Sequence, residues 1–239
     1  MQKGDFIKID FIGRVSATGE IFDLTVEEVA MKERAYNERQ KYGPVLVIIG
    51  ANMVVPGVEK QLENMEPGQE GDFQLKPDEA FGRREPGLIK IMPRSSFISQ
   101  KIEPVPGIFV NINGQQAKIQ NVTGGRIRVD FNHPLAGKDL DYWVKIAEQI
   151  TEPLAKARAL MEYYGIQAEV SLEGPRLSVR TKKAMPDLVR GLVEEKFKEW
   201  VAEIKEIEFS TEEKAEDRPG ESKNQDEQQA QDAAPDASA

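Results

Sequence analysis

The residues of greatest chemical interest are one acid and one phenol set among apolar neighbours. Asp23 ends an extended run directly after Phe22 and lies outside the charged runs of the chain. Tyr142 lies in a later segment that alternates apolar and polar residues, as a half-buried strand does. Further apolar residues occur at predicted strand ends and in loops, namely Phe11, Phe22, Val45, Val47, Val54, Val55 and Phe81. These side chains could fill an ordinary core, or they could line a shallow apolar cleft that contains one carboxylate and one phenol.

Other kinds of chemistry find little support in the residues. His133 is the only histidine and cysteine is absent, which excludes disulfides, thiolate zinc sites and a His-based metal site. Between Asn132 and Pro134, His133 is predicted to be a local hydrogen-bonding residue. There is no phosphate-binding glycine loop, and a serine nucleophile could come only from Ser95 or Ser96. We therefore expect neither a metal nor a cofactor.

The charge distribution favours a protein that binds neither nucleic acid nor a membrane. The 239 residues carry a formal net charge of −9, and residues 210–239 contribute −6 of it through nine acids and three bases. The rest of the chain has no basic field for nucleic acid. No apolar run approaches the ~18 residues of a membrane span, and the first residues lack the apolar segment of a signal peptide. Because cysteine is absent, we expect a cytoplasmic protein.

A corner between a strand and a helix is predicted where Val54 and Val55 end an extended run. Pro56 then takes the first helical position, where the backbone N–H that proline lacks would be unpaired in any case. Val58 and Leu62 follow at helical spacing and give the helix an apolar face. Such a corner holds its apolar side chains rigidly, so it can plug a core or form the floor of a pocket.

The rest of the pattern divides the chain into several units. Charged residues at 24–42 predict a surface helix, which a Thr25–Glu28 capping box would start. Asn113-Gly114 suits a type I′ turn and predicts a hairpin within a small β-rich module. The segment 153–209 has an α-β-β-α-β pattern, and the composition of 210–239 predicts disorder. Alternating or apolar segments predict strands at 5–12, 21–23, 45–49, 71–76 and 140–150.

Several short motifs occur in the order and spacing of FKBP-type peptidyl-prolyl cis-trans isomerases. They are Phe11-Ile12-Gly13, Phe22-Asp23, Gly50, Val54-Val55-Pro56-Gly57-Val58, Pro67-Gly68, Asp78-Glu79-Ala80-Phe81-Gly82 and Leu140-Asp141-Tyr142. A further run, Asn132-His133-Pro134-Leu135-Ala136-Gly137, resembles a signature of the SlyD branch, in which an insert-in-flap chaperone domain interrupts the isomerase. With its additional segments, the chain is most similar to the long archaeal members of the family.

The resemblance implies an α+β fold in which an antiparallel sheet wraps on the short helix that begins at Pro56. An inserted β-rich chaperone domain and a small C-terminal α/β domain would be added to it. The implied domains are an isomerase at 1–82 and 133–152 with a helical insert at 24–42, the chaperone insert at 83–132, the C-terminal domain at 153–209 and an acidic tail at 210–239.

The resemblance also implies roles for the cleft residues. Asp23, Val55 with its backbone N–H, Phe81 and Tyr142 would be catalytic. Family members often have a larger aromatic side chain at the positions of Val58 and Val45, and a tyrosine at that of Phe81, so this pocket should be wider or shallower. The substrate-binding residues would be Phe11, Phe22, Val45, Val47, Val54 and Val58.

The implied function is cis–trans isomerisation of X-Pro bonds in unfolded or folding polypeptides, together with chaperone activity. This reaction needs no nucleophile, metal or cofactor, because its barrier arises from amide resonance. An apolar pocket that removes water from the imide and offers a hydrogen-bond donor to its twisted form lowers the barrier. The alternative is a holdase chaperone with a vestigial isomerase pocket. The segment 153–209 could also pair two copies of the chain as a homodimer.

Overall fold

The computed structural model describes residues 1–211, which form three sheets with helices packed against them. None of the helices in this range is long and apolar enough to cross a membrane. In chain order the elements are β1 (Phe6–Val15), β2 (Ile21–Leu24), α1 (Glu27–Lys32), β3 (Val45–Ile48), α2 (Pro56–Glu63), β4 (Glu70–Leu75), β5 (Ile89–Pro93), α3 (Ser95–Ile98), β6 (Phe109–Ile112), β7 (Gln115–Thr123), β8 (Arg126–Asp130), β9 (Leu140–Ile150), α4 (Pro153–Tyr163), β10 (Ala168–Glu173), β11 (Arg176–Thr181), α5 (Asp187–Trp200) and β12 (Glu206–Thr211).

The largest sheet is antiparallel and has the order β2-β1-β9-β4, with β3 paired to the first half of β1. Strand β9 is its spine, because it pairs with β1 on one side and with β4 on the other. Helix α2 packs across one face and buries Val58 and Leu62 against Ile7, Ile9 and Val144. The α+β fold class expected from the sequence is therefore confirmed.

At one end, this sheet is buried on both faces. In β3, Val47 packs in the core under α2, whereas Leu46 and Ile48 belong to a second core on the opposite face. Phe6 at the start of β1 points into that second core, which α4 and the following elements complete. Successive side chains of a strand point to opposite faces, so a strand covered on both sides is apolar at nearly every position. This explains why residues 45–49 form a continuous apolar run rather than an alternating one.

The corner before α2 forms as the sequence predicts. Val55 has an extended backbone (φ −62°, ψ 147°) and caps a helix whose first residue is Pro56. Gly57 follows because the helix approaches β4 closely there: a Cβ at this position would lie 2.5 Å from a methyl carbon of Leu75 and 2.9 Å from the backbone oxygen of Glu79. The corner is thus wedged between the sheet and the loop after β4.

The long surface helix predicted at 24–42 is wrong, since only Glu27–Lys32 is helical. Thr25 does not form the predicted capping box; its hydroxyl donates to Asp10 and accepts a hydrogen bond from the backbone N–H of Phe11. The helix buries Ala30, and the residues after Lys32 offer no further apolar face. Short helices are marginal without such a face, so the chain turns and continues as irregular structure.

The inserted segment forms its own antiparallel sheet, with the order β5-β8-β7-β6. Its core is distinct from the others and contains Phe97 of α3 together with Ile119, Ile127 and Val129. Asn113 and Gly114 both have positive φ values, 53° and 84°, as the predicted type I′ turn requires. The hairpin prediction is therefore confirmed.

Two chain segments connect the insert to the main sheet, and they are bonded to each other. The backbone N–H of Gly137 donates to the oxygen of Gly82 over 2.9 Å. Farther out, the side chain of Asn132 accepts from the Glu85 N–H and donates to the Glu85 oxygen, at 2.8 and 3.0 Å. The buried carboxylate of Asp130 forms an ion pair with Arg84. These contacts hold the two connecting segments side by side where the insert joins the cleft.

The C-terminal segment has the predicted α-β-β-α-β order, with β10, β11 and β12 in one sheet. The sequence pattern ends this segment at residue 209, but its last strand spans Glu206–Thr211 and pairs in parallel with β11. Ser210 and Thr211, expected in the tail, are therefore part of this strand, since the ladder continues opposite Arg180 and Thr181. The rest of the predicted tail, 212–239, lies outside the described residues.

Candidate active site

An open cleft of about 770 Å³ lies beside the corner, and all ten side chains proposed from the sequence line it. Strands β1, β2, β3 and β9, the corner and the loop after β4 bring them together. The ten residues are Phe11, Phe22, Asp23, Val45, Val47, Val54, Val55, Val58, Phe81 and Tyr142.

Buried aliphatic residues form the bottom of the cleft, and more exposed ones form its mouth. Val58 in the first turn of α2 is 2% exposed, and Val47 is also buried. Val45 at the start of β3 is 38% exposed. The cleft therefore has a solvent-accessible rim and a buried apolar floor.

Four aromatic rings form one wall of the cleft. The Phe22 ring meets Tyr142 edge-on at 5.7 Å between centroids and meets Phe81 edge-on at 6.3 Å. Phe22 can lie this close to the sheet because residue 13 is glycine. A Cβ at this position would lie 2.5 Å from the Phe22 ring. Phe11 is tilted against Tyr142 at 6.5 Å. Edge-on aromatic pairs are favourable and geometrically specific, so the wall is preformed.

Two polar side chains interrupt this apolar lining. Asp23 lies at the mouth and is largely exposed, yet the neighbouring apolar walls desolvate its carboxyl group and raise its pKa, an effect that the Leu24 backbone hydrogen bond partly opposes. Burial, with a smaller contribution from the charge of Asp23, raises the pKa of Tyr142 to about 12. Tyr142 therefore keeps its proton at neutral pH and is a hydrogen-bond donor in the cleft.

The backbone of the corner adds a further donor. The Val55 carbonyl accepts from the Glu59 N–H at 3.1 Å, but within residues 1–211 no group accepts a hydrogen bond from the Val55 N–H. The Glu59 side chain accepts from the Gly50 N–H at 2.8 Å and so ties the corner to the preceding turn. Val55 thus lines the cleft and has a backbone N–H without a protein acceptor within residues 1–211.

The structure adds two notable residues that sequence reasoning did not assign to the cleft. His133 makes the predicted local hydrogen bond, in which its Nδ1 accepts from the Leu135 N–H at 3.2 Å, but its ring also stacks on Phe81 at 4.3 Å and lines the cleft. Tyr163 reaches the rim from the last residue of α4. The position of His133 next to the insert was a usable signal, whereas nothing local in the sequence places Tyr163 near Val45.

A second depression of about 700 Å³ lies on the other face of the main sheet, between α1 and Trp143. Its lining includes Ile12, Val26 and Val29, and it shares Tyr142 with the cleft. It lacks the corner with its free N–H and the aromatic wall of Phe22 and Phe81. The first cleft is therefore the better candidate for chemistry.

Two family models match the chain. Residues 1–99 match FKBP-type peptidyl-prolyl cis-trans isomerase, and residues 90–135 match the model described as FKBP26, IF domain. The first match includes most of the cleft, and the second covers the inserted sheet.

Individual relatives agree with these matches. A short-type peptidyl-prolyl cis-trans isomerase of Methanocaldococcus jannaschii is 34% identical over 148 residues, which cover 62% of this chain and 93% of the relative. An FKBP-type 16 kDa peptidyl-prolyl cis-trans isomerase of Escherichia coli is 33% identical over 53% of this chain and 86% of its own length. The SlyD isomerase of Helicobacter pylori is 33% identical over 43% of this chain and 57% of its own length.

The cleft geometry, the two family models and the extent of these relatives agree with one another. The residues matched by the two models contain the corner, three of the aromatic residues (Phe11, Phe22 and Phe81) and the inserted sheet. The chain belongs to the family of FKBP-type peptidyl-prolyl cis-trans isomerases.

Proposed function

We propose that the cleft beside α2 is the catalytic site and that it isomerises X-Pro bonds by desolvation and by binding the twisted imide. The observation that carries this proposal is the gathering of an apolar floor, an aromatic wall and a free backbone N–H in one cleft. The proline ring would rest on Val58 between Phe22 and Phe81, with Phe11, Val45, Val47 and Val54 completing the walls.

The mechanism follows from the nature of the barrier. A planar imide owes its stability to resonance, which places negative charge on its oxygen, and water stabilises that polar form. Transfer into an apolar cleft removes this stabilisation, so the planar ground state loses more than the less polar twisted state. A donor that reaches the carbonyl only after rotation adds stabilisation to the transition state alone.

Individual residues have distinct roles in this scheme. The Val55 N–H would donate to the rotated carbonyl oxygen, since it is fixed by the corner and has no protein acceptor within residues 1–211. The Tyr142 hydroxyl stays protonated and can donate at the same end of the cleft. Asp23 would polarise the imide from the mouth, while Phe81, held by its stack on His133, would close over the ring.

We propose that the inserted sheet has a separate chaperone role. The chain would then have three functional units: the isomerase at 1–82 and 133–152, the chaperone insert at 83–132 and the C-terminal unit at 153–209. Ile91 on edge strand β5 is 69% exposed, and Phe109 on edge strand β6 is 48% exposed. Edge strands can pair with an extended polypeptide while exposed apolar side chains contact it. The substrates would be unfolded or proline-containing chains.

The C-terminal unit is proposed to pair two copies of the chain. Leu188 and Leu192, one turn apart on α5, are exposed and form an apolar stripe. Light scattering on the full chain and on a Leu188→Ser, Leu192→Ser variant tests the pairing. The intact chain should have twice the mass of the variant, and equal monomer masses would contradict it.

The assignment of the cleft is tested by combining Asp23→Ala with Tyr142→Ala. Isomerisation of a short proline peptide should fall at least tenfold, whereas suppression of aggregation of an unfolded protein should change little. The variant must retain a cooperative thermal transition, because Tyr142 is also part of the core. Full peptide turnover in the folded double variant would refute the site. A wild-type chain that suppresses aggregation without turnover above background would instead support the holdase alternative.

A further inference from the structure

The C-terminal unit is joined to the isomerase sheet by a continuous core. Leu160 and Met161 of α4 pack in the same cluster as Leu46 and Ile48 of β3, and Phe197 of α5 extends that cluster. Burial of these large apolar side chains stabilises the joint between the two units. Helix α4 is therefore held in a fixed position along the outer side of β3.

This attachment places Tyr163 at the rim of the cleft. Tyr163 is the last residue of α4 and is 52% exposed, so its phenol is not part of the shared core. It lines the cleft together with Val45 and Leu46. Because the backbone of α4 is held in place, Tyr163 has little backbone freedom to lose when its ring contacts a ligand.

A smaller depression of about 350 Å³ continues from the cleft between β3 and α4; we call it the side groove. Val45, Leu46 and Tyr163 line both the cleft and the side groove, so the two are contiguous. Pro44 and Ala159 complete its apolar walls, and its volume is near the lower limit of ligand pockets, about 300 Å³.

The charged groups of the side groove lie around its rim. Lys41 and Glu162 line it and form an ion pair with each other at 2.6 Å. Lys8 is the other charged residue of the lining. Lys41 and Glu162 neutralise each other, so Lys8 leaves one positive charge in the lining. The walls that an occupant would contact are mainly apolar, which suits an uncharged side chain.

We propose that the side groove is a substrate subsite and that Tyr163 determines its specificity. The occupant is an aliphatic or aromatic side chain of the same polypeptide whose proline lies in the cleft. This inference rests on the proposed catalytic role of the cleft. It assigns part of substrate recognition to the C-terminal unit, which lies outside the isomerase sheet.

The neighbouring Tyr164 provides a matched control. It has the same chemistry and a similar exposure, and its ring meets that of Tyr163 edge-on at 5.2 Å. Tyr164 lines neither the cleft nor the side groove. It lines a third depression beside Lys196 and Trp200, which Tyr163 also borders. Comparison of Tyr163→Ala with Tyr164→Ala therefore separates the loss of the subsite from the general effect of removing an exposed tyrosine ring at this end of α4.

The test measures kcat and KM of the full chain on three peptides. One is a blocked four-residue peptide with a central proline, and two are ten-residue peptides with either phenylalanine or serine three residues from the proline on both sides. The wild type should prefer the phenylalanine peptide through a lower KM. Tyr163→Ala should reduce that preference by roughly threefold to tenfold, the range expected for one aromatic contact, whereas Tyr163→Phe and Tyr164→Ala should retain it.

Two results with the variants would overturn the subsite. One is a phenylalanine preference that survives Tyr163→Ala, and the other is an equal loss of preference in Tyr164→Ala. A failure of the proposed catalytic site can be distinguished from a failure of the subsite with the four-residue peptide. If the catalytic site is wrong, turnover of that peptide will be unchanged by the combined Asp23→Ala and Tyr142→Ala substitutions. A wild type that turns over the short peptide but shows no phenylalanine preference refutes the side groove alone.

Discussion

The cleft and the surface of the inserted sheet are both apolar, but they present their side chains differently. In the cleft, Val58 and Tyr142 are buried by neighbours that hold them in one arrangement. On the insert, Ile91 and Phe109 extend into solvent from edge strands. Catalysis by desolvation requires an enclosed and rigid site, whereas capture of unfolded chains of many sequences requires an open and tolerant surface.

The connecting segments show how one chain can combine the two. The ion pair of Arg84 with Asp130 and the paired backbone of Gly82 and Gly137 fix the base of the insert. His133 leaves this base and stacks on Phe81 in the cleft wall. Under the proposed functions, a polypeptide captured on the insert would be held next to the catalytic cleft, which would raise its local concentration there.

The largest effect is expected from separating the two regions. Deleting 84–131 and closing the loop with glycines should lower catalysis of the refolding of a proline-limited protein by about a hundredfold, the lower range of gains from linked binding sites. Turnover of a four-residue peptide should stay within about twofold of wild type, because the deletion leaves His133 and the cleft in place. Refolding and peptide assays on the same preparation give both values. Equal losses in the two assays would show that the insert supports the cleft itself.

A smaller effect is expected from the floor of the cleft. Val58→Ala should raise the KM of a short proline peptide several-fold and cost roughly 2 kcal/mol of unfolding free energy, because it removes buried methyl groups. Leu62→Ala is the matched control: it is buried one turn later on the same face of α2 and does not line the cleft. It should destabilise at least as much, by roughly 2–5 kcal/mol, and leave KM unchanged. An equal rise of KM in both variants would mean that the rise comes from lost stability and not from lost contact with proline.

A still smaller effect is expected from the titration of Asp23. It should change peptide turnover in the cleft but not client binding by the insert. Desolvation raises its pKa above the ordinary 3.8, so peptide turnover should decline as the pH falls through this raised pKa. Stability has the opposite sign: the folded protein binds the proton more tightly, so the cost of the charge disappears as the pH falls through the same window. That cost is small because the group is largely exposed. In Asp23→Asn the acid limb of the pH–rate profile should vanish, while client binding by the insert keeps its wild-type profile. An unchanged acid limb would assign it to another group.

Local patterns left open whether the apolar residues fill a core or line a cleft, and it was the resemblance to FKBP-type isomerases that implied the cleft. The structure brings all ten of the proposed residues together in one cleft. Each of three short segments indicates both a backbone conformation and the side chains that it carries. They are Phe22-Asp23, Val54-Val55-Pro56 and the strand around Tyr142. Their gathering in one cleft then follows from the antiparallel pairing of β1 with β2 and β9. The type I′ turn at Asn113-Gly114 was equally predictable, since few residues accept two successive positive φ values.

The errors and omissions concern contacts between distant parts of the chain. Charged residues at 24–42 have high helix propensity, but no neighbouring surface buries the segment beyond Lys32. The last strand continues to Thr211 because β11 offers a ladder to pair with, which local composition does not reveal. Tyr163 approaches Val45 only because α4 and β3 share a core. Motifs within single segments therefore identified ten residues of the cleft, but not Tyr163, which a contact between distant segments brings to its rim.

The most direct test of the catalytic account removes the Val55 N–H and leaves the corner intact. The φ of Val55, −62°, already suits proline, and within residues 1–211 its N–H has no protein acceptor, so Val55→Pro should fold with a thermal transition close to that of Val55→Ala. If this N–H stabilises the twisted imide, Val55→Pro should turn over a short proline peptide at least about tenfold more slowly than Val55→Ala, the equivalent of one hydrogen bond. Equal rates in the two folded variants would contradict the account.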